Sequence, residues 1–166
     1  MAQQDKLSFQ WRTAPEHKDI AGVRTLVDGT GFFNTEEIAI AAELVEERLT
    51  RGLASGYQFL FAETDNALLG YTCYGPIAGT RSSYDLYWIA IASEQQGQGL
   101  GRKLLVRSEH LIQVAGGSRV YIETSARPQY APTQGFYERC GYQQVALLED
   151  FYAPGDDKLV YCKVLS

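Results

Sequence analysis

A glycine-rich segment at residues 97–101 joins two apolar stretches of different periodicity, and it constrains the fold more than any other feature. Before it, residues 84–91 are almost continuously apolar and aromatic, which is typical of a buried strand. After it, apolar residues recur at helical spacing: Leu100, Leu104, Leu105, Leu111, Ile112 and Ala115. The pattern therefore predicts a strand that passes through a glycine turn directly into an amphipathic helix.

A glycine turn at the start of a helix is suited to binding an anion. The free backbone N–H groups and the positive end of the helix dipole attract phosphate oxygens, and glycine lets the chain approach them closely. Arg102 and Lys103 fall in the first helical turn, where positive charge opposes the dipole unless an anion is bound. The alternative is a flexible glycine turn that binds nothing.

Two common nucleotide-binding loops do not match this segment. The pattern G-x-x-x-x-G-K-[ST] is absent, which excludes a Walker A loop. Gly97-Gln98-Gly99 is followed too soon by Gly101 for a dinucleotide-binding loop, and no strand with a ribose-binding acid follows at the proper interval. The anion is therefore expected to belong to another kind of ligand.

Composition narrows the class of protein. A chain of 166 residues, 45% hydrophobic and 21% charged, fits one globular domain, which we place at residues 5–166. Three distant cysteines offer no zinc or redox pair, so we expect reduced thiols and no metal. A net charge of −5 argues against nucleic acid as a partner, and no apolar run suits a membrane. Without a secretory leader pattern, the predicted location is the cytoplasm.

The remaining patterns predict the element order β-α-α-β-β-β-α-β-α-β-β. This is an α/β fold of the mixed kind, with a central mixed sheet of about seven strands flanked by about four helices. Asn34 and Glu37 have capping-box spacing and begin a helix at 35–51. Other expected elements are a first strand at 7–13, a helix opened by Pro15, a hairpin turn at 65–66, a short helix at 133–140 and final strands at 142–148 and 159–164.

Two motifs resemble the hallmarks of the GNAT superfamily of N-acetyltransferases. Gln96-x-x-Gly99-x-Gly101 is similar to the family's Q/R-x-x-G-x-G/A signature, and residues 136–142 (FYERCGY) are similar to its F/L-Y-x-x-x-G-F/Y motif. The resemblance implies the GNAT-like acyl-coenzyme A N-acyltransferase fold. It also implies that acetyl-coenzyme A is the co-substrate and that the glycine turn holds its pyrophosphate.

The resemblance implies a set of cofactor-binding residues. Main-chain groups of the strand before the turn would contact the pantetheine arm, and one N–H would polarise the thioester. Tyr130 stands where family members often place an asparagine that touches this arm, whereas Thr133 could cap the short helix and approach the cofactor. The implied residues are Ile89, Ala90, Ile91, Gln96, Gly97, Gln98, Gly99, Leu100, Gly101, Arg102 and Thr133.

Two residues have implied catalytic roles. Tyr137 occupies the family's general-acid position. A phenol stays protonated at neutral pH and could therefore deliver its proton to the leaving thiolate. Glu123 resembles the strand-borne glutamate that collects the amine proton through water. The alternatives are an aromatic core residue for Tyr137 and a solvated strand-end carboxylate for Glu123. Asp85 and Tyr87 are the reserve candidates for the base, and ordered water without a dedicated base is another alternative.

The acceptor is expected to be an amine, either a small molecule or a peptide N-terminus. The expected acceptor-binding residues are Phe32, Phe33, Asp85 and Tyr87, and the tail at 150–157 resembles the final hairpin of GNAT members that acetylate protein N-termini. Two alternatives remain: a non-catalytic acyl-coenzyme A sensor of the same fold, and transfer of an acyl group other than acetyl. A homodimer is left open.

Overall fold

The computed structural model describes residues 8–65 and 67–166, and these form seven strands and four α-helices in the predicted order. The strands are β1 (Gln10–Arg12), β2 (Gln58–Glu63), β3 (Leu68–Pro76), β4 (Ser83–Ile91), β5 (Arg119–Ser125), β6 (Gln143–Ala153) and β7 (Asp156–Val164). The helices are α1 (Lys18–Gly29), α2 (Thr35–Arg51), α3 (Leu100–Val114) and α4 (Ala131–Arg139). Leu7 and Asn66, which belong to predicted elements, lie outside the described residues.

The strands form one mixed sheet in the order β1-β2-β3-β4-β5-β7-β6. β4 and β5 run parallel, whereas β5 with β7 and β6 with β7 are antiparallel. This confirms the predicted mixed α/β fold. The single domain at 5–166 stays a prediction.

The helix boundaries follow from local capping. α2 matches its predicted bounds because the Asn34 side chain accepts from the Glu37 N–H at 2.8 Å, while the Glu37 carboxylate accepts from the Asn34 N–H at 2.9 Å. α4 begins at Ala131 with no side-chain cap, so the prediction that Thr133 could cap this helix was wrong. No helix within the described ranges is long and apolar enough to cross a membrane.

The chain divides into two compact units, of which the first comprises the described residues up to Cys73 together with Trp88–Leu105. Its core packs α1 and α2 onto β2 and β3 through buried residues that include Val27, Val45, Phe59 and Tyr71. The Arg12 guanidinium links β1 to α1 and β2. It donates to both carboxylate oxygens of Asp19, each at 2.7 Å, and to the Glu63 carboxylate at 2.8 and 2.9 Å.

The second unit comprises Tyr74–Tyr87 and Val106–Ser166. Gly117 lies so close to Ile112 and Tyr84 that a β-carbon there would overlap both side chains. In the C-terminal half of α3, the buried Glu109 carboxylate accepts from the Tyr142 hydroxyl and from the Lys163 ammonium, both at 2.8 Å. This network joins α3 to β7 and to the residue that precedes β6.

Tyr71 and Tyr142 allow a matched test of buried hydroxyl groups, one in each unit. The Tyr71 hydroxyl is buried without a hydrogen-bond partner among the described residues, whereas that of Tyr142 is bonded to Glu109. Because an unpartnered buried hydroxyl loses its hydration without compensation, Tyr71→Phe is expected to raise the free energy of unfolding by about 1 kcal/mol. Tyr142→Phe is expected to lower it by about 2 kcal/mol, because the bond to a charged carboxylate is lost.

Urea unfolding of the two variants beside the parent measures both changes. Equal losses of stability in the two variants would contradict this account, because they would mean that the Tyr71 hydroxyl has a partner of its own.

Candidate active site

The glycine turn between β4 and α3 has a backbone that only glycine adopts readily. Gly97 has φ 77° and Gly99 has φ 82°, both in the left-handed region. No atom lies within 4 Å of the position that a β-carbon would take at either residue. The turn residues 96–99 are solvent-exposed. The turn is therefore open on its outer side, as the sequence predicted for a segment that a ligand approaches.

The first backbone N–H groups of α3 have no intrahelical partner, so the start of this helix is electropositive beside the turn. The Lys103 N–H donates to the Gly99 carbonyl at 3.2 Å, so the N–H groups of Leu100, Gly101 and Arg102 precede the first intrahelical bond. Gly99 has no side chain with which to cap them. The first turn contains no acidic residue, and the Arg102 and Lys103 side chains are exposed. Such a helix start can bind an anion.

The end of β4 presents backbone groups beside the turn. The parallel ladder with β5 covers Ser83–Leu86 of β4, so Ile89, Ala90 and Ile91 lie beyond it. Gly70 on β3 brings this strand end close to α3, and no sequence pattern indicated its role. A β-carbon at Gly70 would lie 2.9 Å from Leu104 Cδ1, 3.0 Å from Ile91 Cδ1 and 3.1 Å from the Ala90 carbonyl oxygen.

Three aromatic side chains form a chain of contacts in the first unit. The rings of Phe32 and Phe33 are 5.2 Å apart and edge-on, and Phe33 lies 4.9 Å from Trp88 on β4. Phe32 is 37% exposed, whereas Phe33 and Trp88 are half-buried against the core. Both predicted acceptor-binding phenylalanines therefore lie together, and Trp88 is an addition that their spacing in the sequence did not indicate.

Tyr137 is buried on α4 among other aromatic rings. Its ring centroid lies 5.6 Å from that of Phe136 and 6.1 Å from those of Tyr142 and Tyr161. Burial, and to a smaller extent the neighbouring Cys140 thiol, raises the pKa of Tyr137 well above its ordinary value. The phenol therefore carries its proton throughout the neutral range and can act as a donor.

Glu123, Asp85 and Lys158 form a charged group in the second unit. The Glu123 side chain is 52% exposed and its carboxylate lies 2.8 Å from the Lys158 ammonium. Asp85 is half-buried, and burial together with the nearby Glu123 raises the pKa of its carboxyl, although Lys158 partly offsets this. Tyr87 shares the strand face of Asp85 and is 41% exposed.

Tyr137 and Glu123 lie on opposite faces of the sheet. Ile122 pairs with Tyr161, and Glu123 pairs with Val160, so these two pairs point to alternate faces. Tyr137 contacts Tyr161 and therefore belongs to the face opposite Glu123.

Comparisons with known proteins agree with the fold and cover the residues of both motifs. A family model described as an acetyltransferase (GNAT) domain matches residues 55–144. This chain belongs to the GNAT family. A crystal structure of a GNAT-family protein from Desulfovibrio desulfuricans superposes with a TM-score of 0.94 and 45% identity, covering 96% of this chain and 100% of that one.

Other GNAT proteins are more distant. The chain is 30% identical to N-alpha-acetyltransferase RimI of Mycobacterium tuberculosis over 104 residues, which cover 61% of this chain and 63% of RimI. An aminoglycoside 6'-N-acetyltransferase complexed with coenzyme A shares the fold, with a TM-score of 0.73 and 16% identity, covering 95% of this chain and 97% of that one. The chain spans less than two thirds of the curated relatives it matches, and only 29% of one from Mycobacterium leprae.

Proposed function

We propose that the chain is an N-acetyltransferase that moves the acetyl group of acetyl-coenzyme A to a primary amine by direct attack in a ternary complex. This proposal rests on one observation: the open turn at Gly97 and Gly99 leads directly into the first turn of α3, which contains two basic residues and no acidic one. In a GNAT chain, this combination suits the pyrophosphate of coenzyme A. We further propose that residues 5–166 act as one domain and that the location is the cytoplasm.

Backbone groups carry most of the cofactor binding in this proposal. The N–H groups of residues 99–102 donate to the pyrophosphate, and Arg102 adds positive charge. Gln96 and Gln98 border the turn. Main-chain groups of Ile89, Ala90 and Ile91 hold the pantetheine arm and polarise the thioester carbonyl. We keep Thr133 as a proposed cofactor contact through its position in the first turn of α4, without the capping role.

The co-substrate supplies an acetyl thioester, and the chain's residues move the protons. As the amine nitrogen forms its bond to the carbonyl carbon and the carbon–sulfur bond breaks, Glu123 takes up through water the proton that the amine loses. Tyr137 gives its phenolic proton to the departing thiolate. Asp85 is the second candidate for the base, because its raised pKa brings it closer to the range of a proton acceptor at neutral pH.

The proposed acceptor is a small amine or a peptide N-terminus. Phe32 and Phe33 would contact its apolar part, and Asp85 with Tyr87 would contact its amino group, which attacks after it has lost its extra proton to solvent. RimI and the aminoglycoside enzyme bear names that indicate amine acceptors of these two kinds. This resemblance supports an amine acceptor.

A panel of amines with acetyl-coenzyme A tests the proposal. We expect coenzyme A thiol to appear above background hydrolysis, together with an amine that gains the mass of one acetyl group. Coenzyme A binding without any thiol release would favour the alternative of a non-catalytic sensor. Faster transfer from propionyl- or succinyl-coenzyme A in direct competition would show a different acyl group.

A further inference from the structure

A cluster of polar side chains fixes the segment that leads from β5 into α4. The Asp156 carboxylate accepts from the Ser125 hydroxyl at 2.5 Å, and its other oxygen lies 3.2 Å from Arg127 Nε. Ser125 is buried, and the Asp156 side chain is only 15% exposed. Because little water reaches these two groups, the bond between them is stronger than one in open solvent.

Ser125 connects this cluster to α4. Its hydroxyl accepts from the Arg127 N–H at 3.1 Å, and its main-chain carbonyl accepts from the Gln134 side chain at 3.0 Å. A main-chain bond from the Ala126 N–H to the Asp157 carbonyl, at 2.9 Å, holds the same segment on β7. The start of α4 is therefore held by bonds to β5 and β7, because no side chain of the described residues caps it.

Gln134 lies next to the proposed proton donor. Gln134 and Tyr137 are three residues apart on α4, so their side chains share one side of the helix. Among the described residues, the Tyr137 hydroxyl makes no hydrogen bond, whereas its ring contacts other aromatic rings. The place of this hydroxyl therefore depends on the packing of its ring and on the position of α4.

We propose that Asp156 is a positioning residue for acetyl transfer: it holds α4 where the Tyr137 hydroxyl can give its proton to the departing thiolate. It acts through Ser125 and Gln134. In that step the O–H bond of Tyr137 breaks as an S–H bond forms, and the phenolate then regains a proton from water. The inference rests on the proposed function and deepens it by adding a residue to the same site. A misplacement of about 1 Å far from the reacting atoms can cost about 100-fold in rate.

A double-mutant cycle with Tyr137→Phe tests this inference. The readout is single-turnover formation of acetylated amine, with the amine that the panel acetylates fastest and with the rate without protein subtracted. Asp156→Ala should lower this rate about tenfold when Tyr137 is present. In the Tyr137→Phe background there is no donor left to misplace, so the same substitution should lower the rate by less than about twofold.

Asp157→Ala is the matched control. Asp157 is the next residue of β7 and is half-buried like Asp156, but its carboxylate accepts from the Asp150 N–H at 2.8 Å, where the register between β6 and β7 shifts. Its main-chain bond to Ala126 is kept in the alanine variant. Because its side chain acts on β6, Asp157→Ala should change the rate by the same factor with and without Tyr137.

Equal factors for Asp156→Ala in the two backgrounds would overturn the inference while the acetyltransferase proposal stands. A factor for Asp157→Ala that also vanishes in the Tyr137→Phe background would overturn it too, because the cycle would then report a general loss of activity. If Asp156→Ala does not fold, Gln134→Met removes only the bond between α4 and the Ser125 carbonyl, and the same criterion applies.

Two further outcomes concern the proposed function. An unchanged rate in Tyr137→Phe alone would remove the proton donor and this inference with it. Failure of the parent protein to acetylate any amine, despite binding coenzyme A, would overturn the acetyltransferase proposal as a whole.

Discussion

Gly99→Glu is expected to weaken coenzyme A binding by at least about 100-fold, because the new carboxylate would stand where the pyrophosphate binds. Repulsion between like charges at close range costs several kcal/mol, and each 1.4 kcal/mol corresponds to about a tenfold change in affinity. The φ of 82° at this residue adds backbone strain for any side chain. Calorimetric titration with coenzyme A measures the effect.

Gly79→Glu is the matched control for this substitution. Gly79 has φ 80°, and no atom lies within 4 Å of the position of its β-carbon, so the strain, the added charge and the open surroundings are the same. We expect the free energy of unfolding to fall by a similar amount in both variants, whereas only Gly99→Glu should lose affinity for coenzyme A. Equal binding by the two variants would show that the pyrophosphate is held elsewhere.

Tyr137→Phe is expected to lower kcat by about 100-fold while the affinity for coenzyme A stays close to that of the parent. General acid catalysis contributes at least this much in many enzymes, and the phenylalanine keeps the ring contacts of α4. Single-turnover measurement of thiol release, beside calorimetry with coenzyme A, separates the chemical step from binding.

Tyr161→Phe supplies the comparison for Tyr137→Phe. Tyr161 belongs to the same aromatic group, and its hydroxyl donates to Glu138 at 3.3 Å. The substitution removes one phenol from these rings without removing the proposed proton donor. An equal fall of kcat in both variants would assign Tyr137 a packing role, and an unchanged rate in Tyr137→Phe would remove it from the mechanism.

Local features of the chain were sufficient to predict the order of the elements. The capping box at Asn34 and Glu37 gave the start of α2, because both hydrogen bonds join residues three apart in sequence. The glycine turn before α3 was equally local, since its positive φ values demand glycine at 97 and 99. The start of α4 was misplaced because its first turn has no side-chain cap to mark it.

The charged group around Glu123 could not be read from the sequence in the same way. Lys158 reaches Glu123 only because β7 pairs with β5 in a register that sets Ser125 opposite Lys158. A shift of one residue in that register would point Lys158 to the other face of the sheet. The bulge at Asp150, which turns Phe151 towards Lys158, likewise depends on the pairing of β6 with β7.

The sequence by itself determined the strand–turn–helix at residues 84–114 and the family, because those depend on neighbours along the chain. Only the tertiary structure decided that Phe33 meets Trp88, that Tyr137 and Glu123 lie on opposite faces, and that the Lys158 ammonium lies 2.8 Å from the Glu123 carboxylate. These relations depend on strand register and on packing between distant segments, and neither leaves a periodic pattern in the sequence.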